Sequence, residues 1–376
     1  MLLSAAIQDR ISNSTDKNFP VMPEIMSDTP TDFKHFIRII GRGQRAGRTL
    51  TMQEAEQAMS MVINGQATAE QKGAFLMLLR VREETAEELA GFSQAFRTCS
   101  LASVADLSVD LDMGCYAGKR RHLPWFLLAV MLLAKNGKRI FLHGTHEPDS
   151  KRLYLKEVLP QIGFKVAQHP DQAQVALDIF GFAYMDLKQI NPQLDNIIQL
   201  REQFGLRSCA NTLARMLNPS NAAHCLQGIF HRKIDEKHRE TAALLDDANV
   251  LCFRGEGGEV EFNPLRDVTL HVSRNGQQSS EDVTATCETF ITKPQELDAK
   301  QLISVWTGEL DDIYANHAVV GTLSLMLVLV DKLDWTEAYQ QAEQMWQGRD
   351  KKWPVVLPED KSEVVPFDTT GKHYAH

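Results

Sequence analysis

The sequence has no CxxC pair, and its six cysteines, Cys99, Cys115, Cys209, Cys225, Cys252 and Cys287, are scattered along 376 residues. That spacing excludes a compact disulfide framework and a structural zinc site, and it predicts reduced thiols in a cytoplasmic protein. The start, MLLSAAIQDR, has no basic n-region, and its apolar run breaks at Gln8, so no secretory signal is expected. The longest apolar runs, Pro124–Ala134 and Ala318–Val330, are too short to span a bilayer and predict buried helices, with no membrane as partner. Also missing are GxxxxGK[ST], a dinucleotide fingerprint, HExxH, a Ser/His/Asp set and a glycosidase-like acid pair. The twelve histidines never reach metal-site spacing, and His231 and His238 are read as surface residues.

What is present is an ordinary globular composition, 43% hydrophobic and 24% charged, in a chain long enough for two domains. The net charge of −9 argues against nucleic acid as a partner, but the bases are gathered unevenly. Nine Lys/Arg lie between Lys119 and Lys156 against only Glu147 and Asp149. Five more (Lys34, Arg38, Arg42, Arg45, Arg48) fall between Phe33 and Leu50 with no acid among them. Such clusters form either solvated helix faces or a positive groove.

Residues 1–31 are polar and aperiodic and predict a tail. Helical spacing then begins with Phe33, Phe36, Ile37 and Ile40. Thr51–Glu54, Thr68–Gln71 and Thr85–Glu88 are capping-box patterns, and Gly65 fits a helix stop. Residues 32–103 therefore predict a helical bundle, with part of 200–225 packing on it. From 104 to 346 an α/β fold is expected, a mostly parallel sheet flanked by helices. Its candidate strands are Ser108–Leu111, Arg139–Leu142, Val175–Leu177, Ala248–Phe253 and Thr269–Val272. Residues 347–376, with Pro354, Pro358 and Pro366, predict an extended second tail.

Ligands of such sheets sit beyond the carboxyl ends of the strands, where three polar loops should converge. In Asp112–His122, Gly114 and Gly118 would let backbone amides approach an anion, and Lys119, Arg120 and Arg121 supply charge. In His143–Ser150, the amides of His143, Gly144 and Thr145 and the Ser150 hydroxyl could cap a phosphate, or the segment is a plain strand-to-helix turn. In Arg254–Glu261, Glu256 and Glu259 could hold Mg²⁺, or the loop is a glycine-rich turn with solvated acids. Arg207, Asn211 and Arg215 are spaced as one helix-face row that could bind an anion or tie two domains together.

From about residue 33 to 345 these segments resemble anthranilate phosphoribosyltransferase and its relatives in glycosyltransferase family 3, which include pyrimidine nucleoside phosphorylases. The closest likeness is in Leu50–Arg80 and Glu84–Phe92, similar to the family's helical domain. Phe204–Pro219 resembles the family's LGxRTxFNxLGPLxNP segment, matching at Arg207, Asn211, Asn218 and Pro219, and Tyr314–Ala318 resembles a helix start. The resemblance implies a phosphoribosyltransferase of nucleoside-phosphorylase type, using phosphoribosyl diphosphate, Mg²⁺ and an aromatic acceptor, and assembling as a homodimer.

The loops depart from that pattern. A GTGGD-type loop is replaced by Gly114-Cys-Tyr-Ala-Gly-Lys119, KHGNRS by Leu142-His-Gly-Thr-His-Glu147, and the Mg²⁺-binding Asp–Glu pair by Gly258-Glu-Val with Glu259 as nearest match. This is closer to the divergent YbiB-type paralogues, a branch that resemblance associates with single-stranded nucleic acid. The expectation is an altered diphosphate site in a basic cleft formed by Lys119, Arg120, Arg121, Arg207 and Arg215. An active transferase and a non-catalytic dimer scaffold are the rival readings.

Overall fold

The computed structural model describes residues 32–43, 46–148, 150–288 and 297–355. The N-terminal tail, Arg45, Asp149 and the chain beyond Val355 lie outside them.

Four helices open the described chain: α1 (Lys34–Gly41), α2 (Met52–Ile63), α3 (Ala69–Arg82) and α4 (Ala86–Thr98). Helices α2, α3 and α4 each begin with the capping box the sequence predicts, the threonine hydroxyl accepting the N3 amide while the N3 side chain accepts from the threonine N–H. Gly91 sets how closely α2 and α4 approach, because a Cβ there would lie 2.1 Å from the Met52 carbonyl oxygen and 2.8 Å from Ala55 Cβ. Phe33, Phe36, Phe75 and Phe92 form the aromatic centre of this bundle, in edge-to-face contacts.

A short α5 (Ala102–Ala105) leads into a seven-stranded sheet ordered β3-β2-β1-β4-β5-β6-β7. Strands β1 (Leu111–Cys115), β2 (Ile140–Gly144), β3 (Phe182–Asp186), β4 (His224–Ile229) and β5 (Asn249–Arg254) are parallel. Strands β6 (Val268–Arg274) and β7 (Gln277–Val283) close the edge antiparallel.

Side chains alternate across the sheet as strand geometry requires. Leu111, Met113, Ile140, Leu142 and Tyr184 enter one core with α6 (Phe126–Lys135) and α15 (Ile313–Val330). Phe141, Ala183 and Met185 enter the other, shared with the bundle. Residues from α9 (Leu187–Ile190), α10 (Pro192–Gln199) and α12 (Ala210–Leu213) belong to this second core, so the bundle is completed by chain from 187 to 217. Between α10 and α12 lies α11 (Arg201–Phe204). Arg97, at the end of α4, pins bundle to sheet: it donates to both Asp247 oxygens at 2.7 and 2.8 Å and to the Met216 and Leu217 carbonyls at 2.6 and 3.1 Å.

The fold is the α/β class expected, but several elements differ from the sequence reading. Val175–Leu177 is not a strand: it lies inside α8 (Pro170–Phe180), which Pro170 opens and Gly181 closes. Strand β1 begins at the last residue of the segment expected for it, and β3, β4 and β7 were not foreseen. The apolar run Ala318–Val330 belongs to a longer helix, α15, long and apolar enough to cross a membrane by composition, with 78% of that window buried in the fold. Residues up to Val355 are not a free tail, since Trp353 packs on Phe164 and donates to the Ile162 carbonyl at 3.1 Å. The six cysteines are free thiols.

Candidate functional site

The strand order reverses direction between β1 and β4, so the loops leaving these two strands part and open a crevice at their carboxyl ends. A cleft of about 600 Å³ lies there, between the bundle and the sheet. Its lining includes Arg80 on α3, Arg207, Asn211 and Arg215 around α12, and Phe230, His231, Arg232, Lys233, Lys237 and His238 from the segment after β4 and from α13 (Ile234–Leu244). Six Lys/Arg side chains face it against two carboxylates, Glu83 and Glu84. Phe230 stands 49% exposed among them, with its ring edge-on to His231 at 5.0 Å. The cleft therefore pairs a positive field with an exposed aromatic face.

His238 is 1% exposed, not the surface residue expected. Its Nδ1 donates to Gln227 Oε1 at 2.7 Å, leaving Nε2 as an acceptor without a partner. Burial, helped by the nearby Arg215 charge, depresses its pKa to about 3, so the ring is neutral.

The Arg207, Asn211, Arg215 row is not one helix face. Arg207 precedes α12, Asn211 lies in it, and Arg215 falls in the 3₁₀ turn Ala214–Met216. Arg207 and Asn211 meet through a residue the sequence reading did not single out. Glu147, 1% exposed, accepts from Arg207 Nε at 3.1 Å and Nη2 at 2.5 Å, and also from Asn211 Nδ2 and Arg201 Nη1. Arg215 donates to the Gly228 carbonyl at 3.0 Å and to the Asn211 carbonyl.

The other expected anion ligands are placed differently. Gly114 and Gly144 lie within β1 and β2, so of the glycines expected to approach an anion (Gly114, Gly118 and Gly144) Gly118 alone has positive φ, +67°. His143 is also in β2, fully buried: Nε2 donates to Asp112 at 2.8 Å and Nδ1 accepts from the Tyr116 hydroxyl at 2.5 Å. The other Asp112 oxygen accepts from Ser220 at 2.6 Å. Thr145 is buried and donates to Asp195 at 2.7 Å, and Ser150 accepts from the Tyr154 hydroxyl at 3.0 Å. Arg120 and Arg121 are exposed and stand outside the cleft lining.

Lys119 is withdrawn from solvent altogether, 1% exposed, with its ammonium on Glu256 and, at 2.6 Å, on Glu261. Glu261 also accepts the Phe126 N–H at the start of α6 at 2.9 Å. Glu259 accepts the Gly118 N–H at 2.5 Å. Arg152 ties the same loops by donating to the Ala117 and Gly118 carbonyls at 3.1 Å and to Gly257 at 3.4 Å. Burial pushes Glu261 up to about 7, with Glu256 adding to the rise and Lys119 opposing it. Burial also acts to raise Glu256, but the Lys119 charge outweighs it and holds that carboxyl below its usual range.

These residues do not fit the Mg²⁺ that the resemblance implies. A hard divalent ion needs several free oxygens, and the Glu256 and Glu261 carboxylates are engaged by Lys119. Among the described residues, no group of three or more His, Cys, Asp or Glu side chains is placed to hold an ion. Of the loops, those after β1, β2 and β5 do converge, but much of their charge is spent on one another.

Comparison with known proteins agrees with this architecture. The glycosyl transferase family helical bundle domain matches residues 34–100, and the a/b domain of the same family matches 131–348. The chain belongs to glycosyl transferase family 3, among its anthranilate phosphoribosyltransferase-like members. It is 25% identical to anthranilate phosphoribosyltransferase of Geobacillus thermodenitrificans over 72% of this chain and 75% of the relative. It is 28% identical to the protein YbiB of Escherichia coli over 66% of this chain and 78% of that one. Anthranilate phosphoribosyltransferase of Thermus thermophilus shares the fold, with TM-score 0.66 and 20% identity over 80% of this chain and 92% of that one. The Saccharomyces cerevisiae enzyme, solved in complex with PRPP and Mg, does so with TM-score 0.66 and 15% identity over 84% of this chain and 93% of that one.

Proposed function

We propose that the protein binds single-stranded nucleic acid, or a comparable phosphorylated ligand, in the cleft between bundle and sheet, without a metal ion. The observation that carries this reading is the lining itself: Arg80, Arg215, Arg232, Lys233 and Lys237 beside the exposed ring of Phe230. Cations that track a phosphate backbone, with an aromatic face on which bases stack, are what sequence-tolerant single-strand binding requires. A homodimer would set two such clefts on one strand.

A second reading is an active transferase using phosphoribosyl diphosphate and an aromatic acceptor. The relatives' names and the match at Arg207 and Asn211 favour it. Against it stands Glu147, which already engages both residues.

The test is anisotropy of labelled single-stranded DNA and RNA across a salt series. For Z phosphate contacts the slope of log K against log salt is about −0.7Z, so R232A/K233A should flatten it by roughly 1.4. Absence of binding at low salt defeats the first reading. Calorimetric binding of phosphoribosyl diphosphate only when Mg²⁺ is present would carry the second.

A further inference from the structure

The loop after β1 is fastened to the loop after β5 by one ammonium group. Lys119 donates to Glu256 and Glu261, which are 8% and 0% exposed. Glu259, 3% exposed, turns one oxygen to the Gly118 N–H and leaves Oε2 buried without a partner. Glu256 and Glu261 thus hold the head of one lysine almost wholly away from solvent, while Glu259 is fastened to the neighbouring Gly118 N–H. A lysine ammonium is a compact point charge with three donors, and here it takes the bridging role that a divalent ion fills in other carboxylate clusters.

We propose that Lys119 is a resident cation: its ammonium occupies the position from which a divalent ion would bridge Glu256 and Glu261, so the native chain takes no metal there, and removing the ammonium opens a cation site of oxygen donors. Because the cation is covalently part of the β1 loop, the two loops stay joined at any metal concentration. Gly258, in the second loop, lies directly beneath Phe230: a Cβ there would meet Phe230 Cβ at 3.0 Å and Ala117 Cβ at 3.5 Å. The lysine clamp therefore also holds the floor under the aromatic face of the cleft. This inference stands apart from the identity of the cleft's ligand.

Titration of Mn²⁺ into the full-length wild type, E261Q, K119A and K119A/E261Q, followed by the electron paramagnetic resonance of the free ion and by thermal melting, tests it. The wild type should take up no Mn²⁺ that E261Q abolishes. K119A should bind Mn²⁺ at a single class of site and melt higher as the ion is added, and K119A/E261Q should lose both effects. Uptake by the wild type that E261Q removes would overturn the proposal, as would a folded K119A indifferent to Mn²⁺. If K119A fails to fold in metal-free buffer, Mn²⁺ should restore a cooperative melt, and a chain that stays unfolded in Mn²⁺ overturns the proposal as well.

Discussion

Replacing Glu147 by glutamine should lower stability and tighten polyanion binding at once, two effects of opposite sign from one lost charge. The carboxylate is buried and receives Arg201, Arg207 and Asn211. Removing one member of a fully buried ion pair costs about 3–5 kcal/mol, because the partner charge is stranded. Here the stranded groups are 29% and 32% exposed on Arg201 and Arg207, so water recovers part of the loss. A cost of about 1–3 kcal/mol follows once this screening is allowed for. For a folded unit of this size that is a fall in melting temperature of about 2–5 °C. The cleft meanwhile gains one net positive charge beside Arg207. At a separation on the order of 8 Å through partly solvated protein, this adds about 0.5–1 kcal/mol per bound phosphate, a roughly two- to five-fold tightening. Differential scanning fluorimetry and anisotropy with a labelled oligonucleotide at fixed salt read the two effects. An E147Q protein that melts like the wild type, or that binds the oligonucleotide more weakly, refutes the reasoning.

The buried neutral state of His238 gives a further pH dependence. Its folded pKa of about 3 lies below the unfolded value near 6.5, so its contribution is complete above pH 6.5 and is lost as pH falls toward 3. Chemical denaturation should record a loss of roughly 3 kcal/mol by pH 4 that H238N, which keeps a donor for Gln227, does not show. A wild type and H238N with parallel profiles would refute it. In the bundle, G91A should cost about 2–4 kcal/mol, at or above the usual range for overpacking, since backbone and not a flexible side chain blocks the new methyl group. An unchanged melt would show that α2 and α4 can separate freely.

What the sequence disclosed was mostly local. The capping boxes at Thr51, Thr68 and Thr85 are satisfied within one turn, so three residue pairs sufficed to place three helix starts. Strand β7 was hidden because Gln277–Asp282 is an exposed polar edge with no apolar alternation. Val175–Leu177 was mistaken because three apolar residues carry no usable period, and Pro170 with Gly181 decided the matter. His238 looked solvated among the charges of IDEKHRE, yet its neighbours come from β4. The loop containing Lys119 read as a basic turn. Its carboxylate partners are 137 and 142 residues further on, and no local pattern reveals that the charge is cancelled inside the protein.

The Arg97 pin has a consequence for how the cleft can work. Receptors built from two bodies on a hinge must close around their ligand, and the ordering that closure demands weakens each binding event. Here one guanidinium spends its donors on Asp247 and two backbone carbonyls across the junction. The relative placement of bundle and sheet is therefore settled when the chain folds. If the cleft takes the ligand proposed for it, that ligand would meet a receptor already in its final shape, and its rate of capture would be set by the reach of the electric field, not by the time a jaw takes to shut.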